Sequence, residues 1–296
     1  MNAQDFLKIY TEDSFVKSFV QSQSNIQNIQ LVGLSGSLTA VMFAAVFKND
    51  PKTRIIVLND KEDALFFFND LQNLFGFESP LLGYFPASFK RPYEYEEIEN
   101  ANIVQRTELL NRLNSSTDPF LIVTYPEALS EKVISKKTLL ANTLHLKTGD
   151  NLDLNFITEM LVSYDFDKTD FVYEAGQFAI RGGIFDIFSY ASEQPYRVEL
   201  WGDEIESIRM FEPDSQLSSK TVESINILPN IQDKISKEET VPLFSFLPAS
   251  TPTWATDVSF VLDKIDDNLE RITSIYDQKQ AAGGDINLLL KPSHSF

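Results

Sequence analysis

A glycine-containing turn near the amino end holds the first residues that could do chemistry. It reads Gly33-Leu34-Ser35-Gly36-Ser37-Leu38-Thr39-Ala40 and lies where a phosphate-binding loop would lie. Such a loop needs a final glycine for close backbone approach, a lysine that reaches the β and γ phosphates, and a serine or threonine that holds magnesium. Leu38, Thr39 and Ala40 occupy those three places. Because phosphate and magnesium contacts dominate phosphoryl transfer, we predict that this turn supports no ATP hydrolysis. An ordinary glycine turn would predict the same absence of activity.

A second group of candidate functional side chains, suited to binding, lies between residues 178 and 204. Strand alternation places Tyr196, Val198 and Leu200 on one face, which belongs in the core, and Arg197, Glu199 and Trp201 on the other. Arg181 similarly points away from the side of Phe178 and Ile180. An exposed tryptophan beside arginines is the composition of a protein-binding hot spot. From alternation alone, Trp201 could equally cap the edge of the core while the arginines form surface ion pairs.

Other kinds of site find little support in the composition. There is no cysteine, which excludes disulfides, thiolate zinc sites and a cysteine nucleophile, and His145 and His294 lie far apart in sequence. The carboxylates of Glu94-Tyr95-Glu96-Glu97 and Asp203-Glu204 lack a histidine partner or a metal-ligand spacing. The net charge of -18 opposes intrinsic binding of nucleic acid. We therefore expect no catalytic residue, no metal and no cofactor.

The elements around the glycine turn alternate between strands and helices. We predict helices before residue 25, a short strand Ile29 to Val32, strands at 54–58 and 121–124, and helices at 40–47, 62–75, 98–113 and from Pro126 toward Ile134. Near-continuous apolar strands separated by helices indicate a parallel sheet with both faces covered. Residues 28–143 are therefore predicted to form a doubly wound α/β domain. Its aromatic, proline-rich loop Tyr84 to Tyr93 is a candidate functional loop.

The pattern changes near residue 144. After a predicted helix around residues 154–164, short period-two runs broken by glycine turns predict a small α+β domain with an antiparallel sheet at 144–230. Residues 1–27 are predicted to pack with the carboxy-terminal segment 231–296. That segment contains a strand or loop at Leu243 to Pro248 and a helix from Asp263 to Gln278. No signal peptide or membrane span is recognisable, so we expect a soluble cytoplasmic protein without a membrane partner.

Together these residues resemble the amino-terminal region of the bacterial transcription-repair coupling factors (Mfd), whose first domains are similar to the excision-repair protein UvrB. The most specific part is the run Arg-Gly-Gly-Ile-Phe-Asp-Ile-Phe from Arg181, followed by Pro195-Tyr196-Arg197, Gly202 to Arg209, and Phe211 to Gln216. The Gly33 turn resembles the UvrB phosphate loop with its lysine lost. The resemblance implies that residues 28–143 are a degenerate, helicase-like (RecA-like) domain.

The resemblance also implies a partner. In this family the small domain binds UvrA through two arginines and an aromatic residue, which fall on Arg181, Arg197 and Trp201; better-known members have phenylalanine at the last position. The resemblance further implies that the domains that contact RNA polymerase and DNA lie beyond residue 296. This chain is then expected to be a fragment that neither hydrolyses ATP nor translocates on DNA. The full-length factor is expected to be an ATP-dependent translocase.

The sequence thus predicts a recruitment module for nucleotide excision repair at stalled transcription complexes. Two alternatives stay open. One is a UvrB-like ATP-dependent DNA-damage enzyme, against which Thr39 in place of lysine argues. The other is an autoinhibitory intramolecular module, in which the face of the arginines and Trp201 packs against the rest of a longer chain.

Overall fold

The computed structural model describes residues 3–23, 28–77, 79–88, 100–229 and 240–281. Its α-helices are α1 Ala3–Glu12, α2 Ser14–Ser22, α3 Leu38–Asn49, α4 Lys61–Phe75, α5 Asn100–Ser115, α6 Pro126–Leu129, α7 Lys136–Ala141, α8 Leu154–Ser163 and α9 Val258–Ala281. Its strands are β1 Arg54–Val57, β2 Leu82–Tyr84, β3 Leu121–Thr124, β4 Val133–Ile134, β5 Leu144–Lys147, β6 Asp167–Lys168, β7 Gln177–Arg181, β8 Ile184–Ile187, β9 Tyr196–Trp201, β10 Glu204–Phe211, β11 Ser218–Val222, β12 Ser224–Ile227, β13 Thr240–Val241 and β14 Thr253–Ala255.

The chain divides into two compact units. The first takes the described residues of Met1–Pro86, Ser116–Ser130 and Leu247–Arg271, and the second takes those of Ala87–Ser115, Glu131–Phe246 and Ile272–Phe296. The first holds a parallel sheet and the second an antiparallel one, which confirms the predicted fold class. The predicted domain boundaries near residues 28, 144 and 231 stay predictions; α5, which we assigned to the α/β domain, lies in the second unit.

The first unit is built on a four-stranded sheet in the order β14-β1-β3-β2, with every neighbouring pair parallel. All residues of β1 and β3 are buried, as expected for continuous apolar strands of a sheet that is covered on both faces. Helix α3 is apolar nearly all round and buries every residue from Ala40 to Phe47. It therefore belongs to the interior of this unit.

An aromatic cluster links the first helices to the edge strand of this sheet. Trp254 in β14 makes edge-on contacts with Phe19 of α2 and Phe43 of α3, at ring-centroid distances of 5.7 and 5.1 Å. Helix α2 begins after Asp13, whose carboxylate accepts hydrogen bonds from the amides of Phe15 and Val16. The helices predicted before residue 25 are thus confirmed, whereas strand β14 was not predicted.

Three local predictions are corrected. Ile29 to Val32 is irregular rather than a strand, because its apolar side chains Ile29 and Val32 are exposed and gain nothing from a sheet position. The helix that begins at Pro126 ends at Leu129 instead of reaching Ile134, since Val133 and Ile134 pair with β13. Residues Leu243–Phe246 form a 3-10 helix rather than a strand or loop.

The second unit contains a six-stranded sheet in the order β11-β10-β9-β8-β7-β6, antiparallel except for the pair β6 and β7. Helix α8 begins after Asp153, whose carboxylate accepts hydrogen bonds from the amides of Asn155 and Phe156. Its buried side chains Ile157 and Leu161 belong to the same core cluster as the inner face of the sheet. The core side chains contributed by that inner face are Phe178, Phe185, Ile187, Val198, Ile205 and Ile208.

Candidate functional site

The register of the antiparallel sheet assigns side chains to its two faces. Asp186 of β8 lies opposite Arg197 of β9, which in turn lies opposite Arg209 of β10. Residues that oppose each other across strands share a face, so these three side chains lie together on the outer face. Val198, next to Arg197, is fully buried on the inner face.

The neighbouring row completes the outer face. Arg181 lies opposite Ile184, and Ile184 lies opposite Glu199. Trp201 is two residues beyond Glu199 on β9 and therefore points to the same side. The placement of Arg181, Arg197 and Trp201 on one face, which alternation predicted, agrees with the observed register.

A buried carboxylate joins the two predicted arginines. Asp186 has no exposed side-chain surface, and Oδ1 and Oδ2 accept hydrogen bonds from Nε and Nη2 of Arg197 at 2.8 and 2.9 Å. Nη2 of Arg181 also donates to Oδ2 of Asp186. The hydrogen bonds to Asp186 raise the pKa of Arg197 above its ordinary value, although burial opposes them. Both cations are therefore fixed by a single anion.

Two aromatic rings and one backbone carbonyl make further contacts with the guanidinium groups. The guanidinium carbon of Arg181 lies 4.8 Å from the ring centre of Phe171, and that of Arg197 lies 4.6 Å from that of Phe211. Nη1 of Arg197 also donates to the carbonyl oxygen of Gln216 at 3.1 Å. The side chain of Gln216 in turn donates to the carbonyl of Val172 at 3.1 Å, so that it ties two loops together over this end of the face.

Trp201 stands apart from this cluster and is free of cover. Its side chain is 81% exposed, among the largest exposed fractions for apolar residues in the described part of the chain. It lies four positions after Arg197 along β9, which corresponds to about 13 Å. The sheet therefore presents an aromatic group at one end of its outer face and a charge cluster toward the other.

Glycines form the turn beside Arg181. Gly182 adopts a φ of +61°, and Gly183 lies so close to β9 that an added Cβ would come within 2.9 Å of the carbonyl oxygen of Leu200. Any larger residue at Gly183 would push β8 away from β9. The Arg-Gly-Gly segment thus fixes the strand that holds Asp186 against the strand that holds Arg197.

Three contributing residues were missed by our sequence reasoning. Asp186 could have been found, because alternation places it on the polar face of its strand. Arg209 could not, because alternation from the core residue Ile205 puts it on the inner face, and only a β-bulge between Ile205 and Ser207 brings it to the outer face. Arg209 donates from Nη2 to Glu199 at 2.7 Å and is 41% exposed. Phe171 could not have been found, since it reaches Arg181 from a loop whose course depends on the whole fold.

The glycine turn of the first unit has a different character. Gly33 and Gly36 have φ angles of +86° and +54° and lie in irregular backbone before α3. The amides of Leu38 and Thr39 donate to the carbonyls of Ser35 and Gly36, at 3.3 and 3.4 Å. Ala40 is fully buried. The first amides of α3 are therefore engaged locally, and the expected preceding strand is absent from residues 28–32.

The aromatic loop Tyr84 to Tyr93 is described only as far as Ser88. The amide of Ser88 donates to both carboxylate oxygens of Glu131, at 3.0 and 3.1 Å, and Glu131 pairs with Arg106 at 3.3 Å. Burial raises the pKa of the Glu131 carboxyl, opposed by Arg106 and by the Ser88 hydrogen bonds. Residues 89–93 lie outside the described residues.

A second acidic site lies on α5 in the second unit. Burial, followed by repulsion from Glu193, raises the pKa of Glu108 to about 7, while Arg112 at 3.7 Å opposes the shift.

Among the residues that the structure describes, no cluster of histidine, cysteine or acidic residues is arranged to hold a metal. No helix within the same residues is long and apolar enough to cross a membrane.

Comparisons with known proteins agree with this geometry. Residues 144–232 match the family model of the UvrB interaction domain. The transcription-repair-coupling factor of Bacillus subtilis is 30% identical over 240 residues, which cover 80% of this chain and 20% of that protein. That of Escherichia coli is 28% identical over 196 residues, or 66% of this chain and 17% of the relative. The transcription-repair-coupling factor of Mycobacterium bovis is 44% identical over 75 residues, which cover 25% of this chain and 6% of that protein. The chain thus spans about a fifth of the length of these relatives.

Proposed function

Because this chain belongs to the transcription-repair-coupling factor family, as an amino-terminal region with a UvrB interaction domain, we propose that it is a non-catalytic recruitment module. It binds UvrA and so brings nucleotide excision repair to stalled RNA polymerase. The observation that carries this proposal is the outer sheet face of the interaction domain. There Asp186 fixes Arg181 and Arg197, and Trp201 is left 81% exposed.

The chemistry of this face suits protein recognition better than catalysis. Exposed tryptophan and preorganised arginine are the residues that carry most binding energy at protein interfaces. The partner segment should offer carboxylates toward the arginines and an apolar or aromatic group toward Trp201. The three arginines of this face offset the carboxylates of Asp186 and Glu199, so the face is less acidic than a chain of net charge -18 is on average.

The absence of catalysis is part of the same proposal. Thr39 and Ala40 replace the groups that would bind phosphates and magnesium, and the amides at the start of α3 already have local acceptors. The chain acts without a cofactor in the cytoplasm. In a longer protein of this family, contacts with RNA polymerase and DNA would be made by other regions.

The test is calorimetric titration of the chain with its cognate UvrA. The native chain should bind, and the double variant Arg181→Ala, Arg197→Ala should lose most of the affinity, by at least about 2 kcal/mol. Because that variant leaves Asp186 without its partners, Trp201→Ala provides a second probe that leaves the cluster intact. Lys168→Ala, on the opposite face in register with Phe178, is the control.

Two outcomes would count against the proposal. If the native chain shows no binding to UvrA, the intramolecular module becomes the better explanation of the exposed face. If ATP with magnesium raises the melting temperature of the native chain, an active nucleotide site must be reconsidered.

A further inference from the structure

The two arginines singled out by sequence differ in how many of their donors remain open. Arg181 is 34% exposed and donates from Nη1 to the carbonyl of Asp170 and from Nη2 to Asp186, so its Nε remains open. Arg197 is 16% exposed, and Nε, Nη1 and Nη2 all donate within the domain, to Asp186 and to the carbonyl of Gln216. Its guanidinium also rests on the ring of Phe211. A partner would find little of Arg197 to contact.

Arg209 offers what Arg197 does not. It lies directly opposite Arg197 on the same face, and it is 41% exposed. Within the described residues its hydrogen bonds come from Nη2 alone, to Glu199 at 2.7 Å and to Ser207 at 3.4 Å. Nε and Nη1 thus remain available, and each can donate a single charge-assisted hydrogen bond to a carboxylate of a partner.

The distribution of charge supports a role for all three arginines on one face. Residues 144–229 contain sixteen aspartates and glutamates against three lysines and three arginines. Those three arginines are Arg181, Arg197 and Arg209, and all lie on the outer face. Scattered solubilising charges would not be expected to segregate in this way.

We propose that Arg209 is a direct partner-contact residue, and that Arg197 is a positioning residue which acts on Arg181 through Asp186. This inference rests on the proposed function and adds to it the chemistry of the contact. Arg181 and Arg209 each bind a carboxylate on UvrA, and an apolar group of UvrA covers Trp201. Arg197 holds Asp186 in the orientation that Arg181 requires.

The experiment is calorimetric titration of UvrA with the full chain over a series of salt concentrations. Arg209→Ala should weaken binding at least tenfold and make the affinity less dependent on salt, because one exposed ion pair is lost. Lys168→Ala removes an equal charge from the other face and should change neither quantity.

A double-mutant cycle separates positioning from contact. Arg181→Ala combined with Arg197→Ala should bind no more weakly than Arg181→Ala alone, since Arg197 acts only through Arg181. Arg181→Ala combined with Arg209→Ala should lose the product of the two single losses. A merely structural role of Arg197 would instead weaken binding further in the first pair.

The outcomes distinguish this inference from the proposed function. If Arg209→Ala binds within twofold of the native chain while Arg181→Ala is weakened, Arg209 is no contact and the inference is wrong, although recruitment stands. If the native chain does not bind UvrA, the proposed function itself fails. Circular dichroism of each variant checks that the comparison is between folded proteins.

Discussion

The glycine turn before α3 and the outer face of the six-stranded sheet both contain residue types that suggest ligand binding, but only one retains the groups to do it. At the turn, Thr39 and Ala40 stand in place of phosphate and metal ligands, and local carbonyls accept hydrogen bonds from the first amides of α3. On the sheet face, Asp186 organises two cations, and Trp201 remains exposed. A fold does not by itself imply an activity, so function has to be argued from the groups that are present at a site.

The largest effect is expected where the sheet face is most buried. Asp186→Asn removes the negative charge between Arg181 and Arg197, whose guanidinium groups would then face each other uncompensated. We expect the free energy of unfolding to fall by about 3 kcal/mol, as when a buried ion pair loses one partner. Urea denaturation followed by circular dichroism measures this. Asp214→Asn, in an exposed turn, should leave the stability unchanged. A loss of less than about 0.5 kcal/mol for Asp186→Asn, the usual range for surface changes, would mean that the carboxylate does not organise the face.

Trp201→Ala tests whether the exposed end of the face serves binding rather than folding. The free energy of unfolding should change by no more than about 0.5 kcal/mol, because the side chain is already in solvent. Affinity for UvrA should fall by about 2 kcal/mol, or roughly 30-fold. Val198→Ala, in the core beneath the same strand, should show the reverse pattern. A Trp201→Ala variant that is strongly destabilised would instead identify the tryptophan as a cap on the core.

The pH dependence of stability tests an acidic site in the same unit as the six-stranded sheet. Burial raises the pKa of Glu108 from its ordinary value of 4.5 to about 7 in the folded chain, so its carboxyl there favours the neutral form. The associated stability is fully present below pH 4.5 and is lost as the pH rises through 7. Glu108→Gln should therefore be more stable than the native chain at pH 8, by on the order of 1 kcal/mol. The difference in stability between the variant and the native chain should shrink as the pH is lowered toward 5. Thermal melting in matched buffers measures this difference. An equal difference at both pH values would contradict the shifted titration.

The smallest effect is expected at the glycine turn. Thr39→Lys restores a lysine at one position, but Leu38 and Ala40 still lack the remaining groups, and residues 28–32 form no strand to present the turn. We expect no rise in melting temperature of Thr39→Lys with ATP and magnesium. A nucleotide-dependent rise of several degrees would show that the turn lost only its lysine.

Much of the fold was accessible from sequence because its strands are unambiguous. Arg54–Val57 and Leu121–Thr124 are near-continuous apolar runs, and the glycine turns of residues 177–211 mark a meander. Strand β14 was missed because it is a three-residue segment, Thr253-Trp254-Ala255, with no apolar run of its own. Its place is set by long-range pairing with β1. Ile29 to Val32 misled for the opposite reason, since an apolar composition does not guarantee a partner strand.

The features of the candidate site likewise divide into those that the sequence predicts and those that it does not. A side-chain period of two suffices to place Arg181, Arg197 and Trp201 on one face. It does not reveal that Asp186 is shared by both arginines, or that Gln216 closes over Arg197 from a loop. Those contacts join residues that are far apart in sequence, so they depend on how the loops are placed.

The positions of the chain's two tryptophans have a spectroscopic consequence. Trp254 is packed among Phe19 and Phe43 in the first unit, whereas Trp201 faces solvent in the second. Their indoles should differ in emission wavelength and in collisional quenching by iodide, since Trp254 is partly buried and Trp201 is exposed. Capture of a partner should shift and protect the red-emitting indole while leaving the blue-emitting one unchanged. The native protein therefore contains a label-free reporter of occupancy, with an internal reference for the integrity of the other unit.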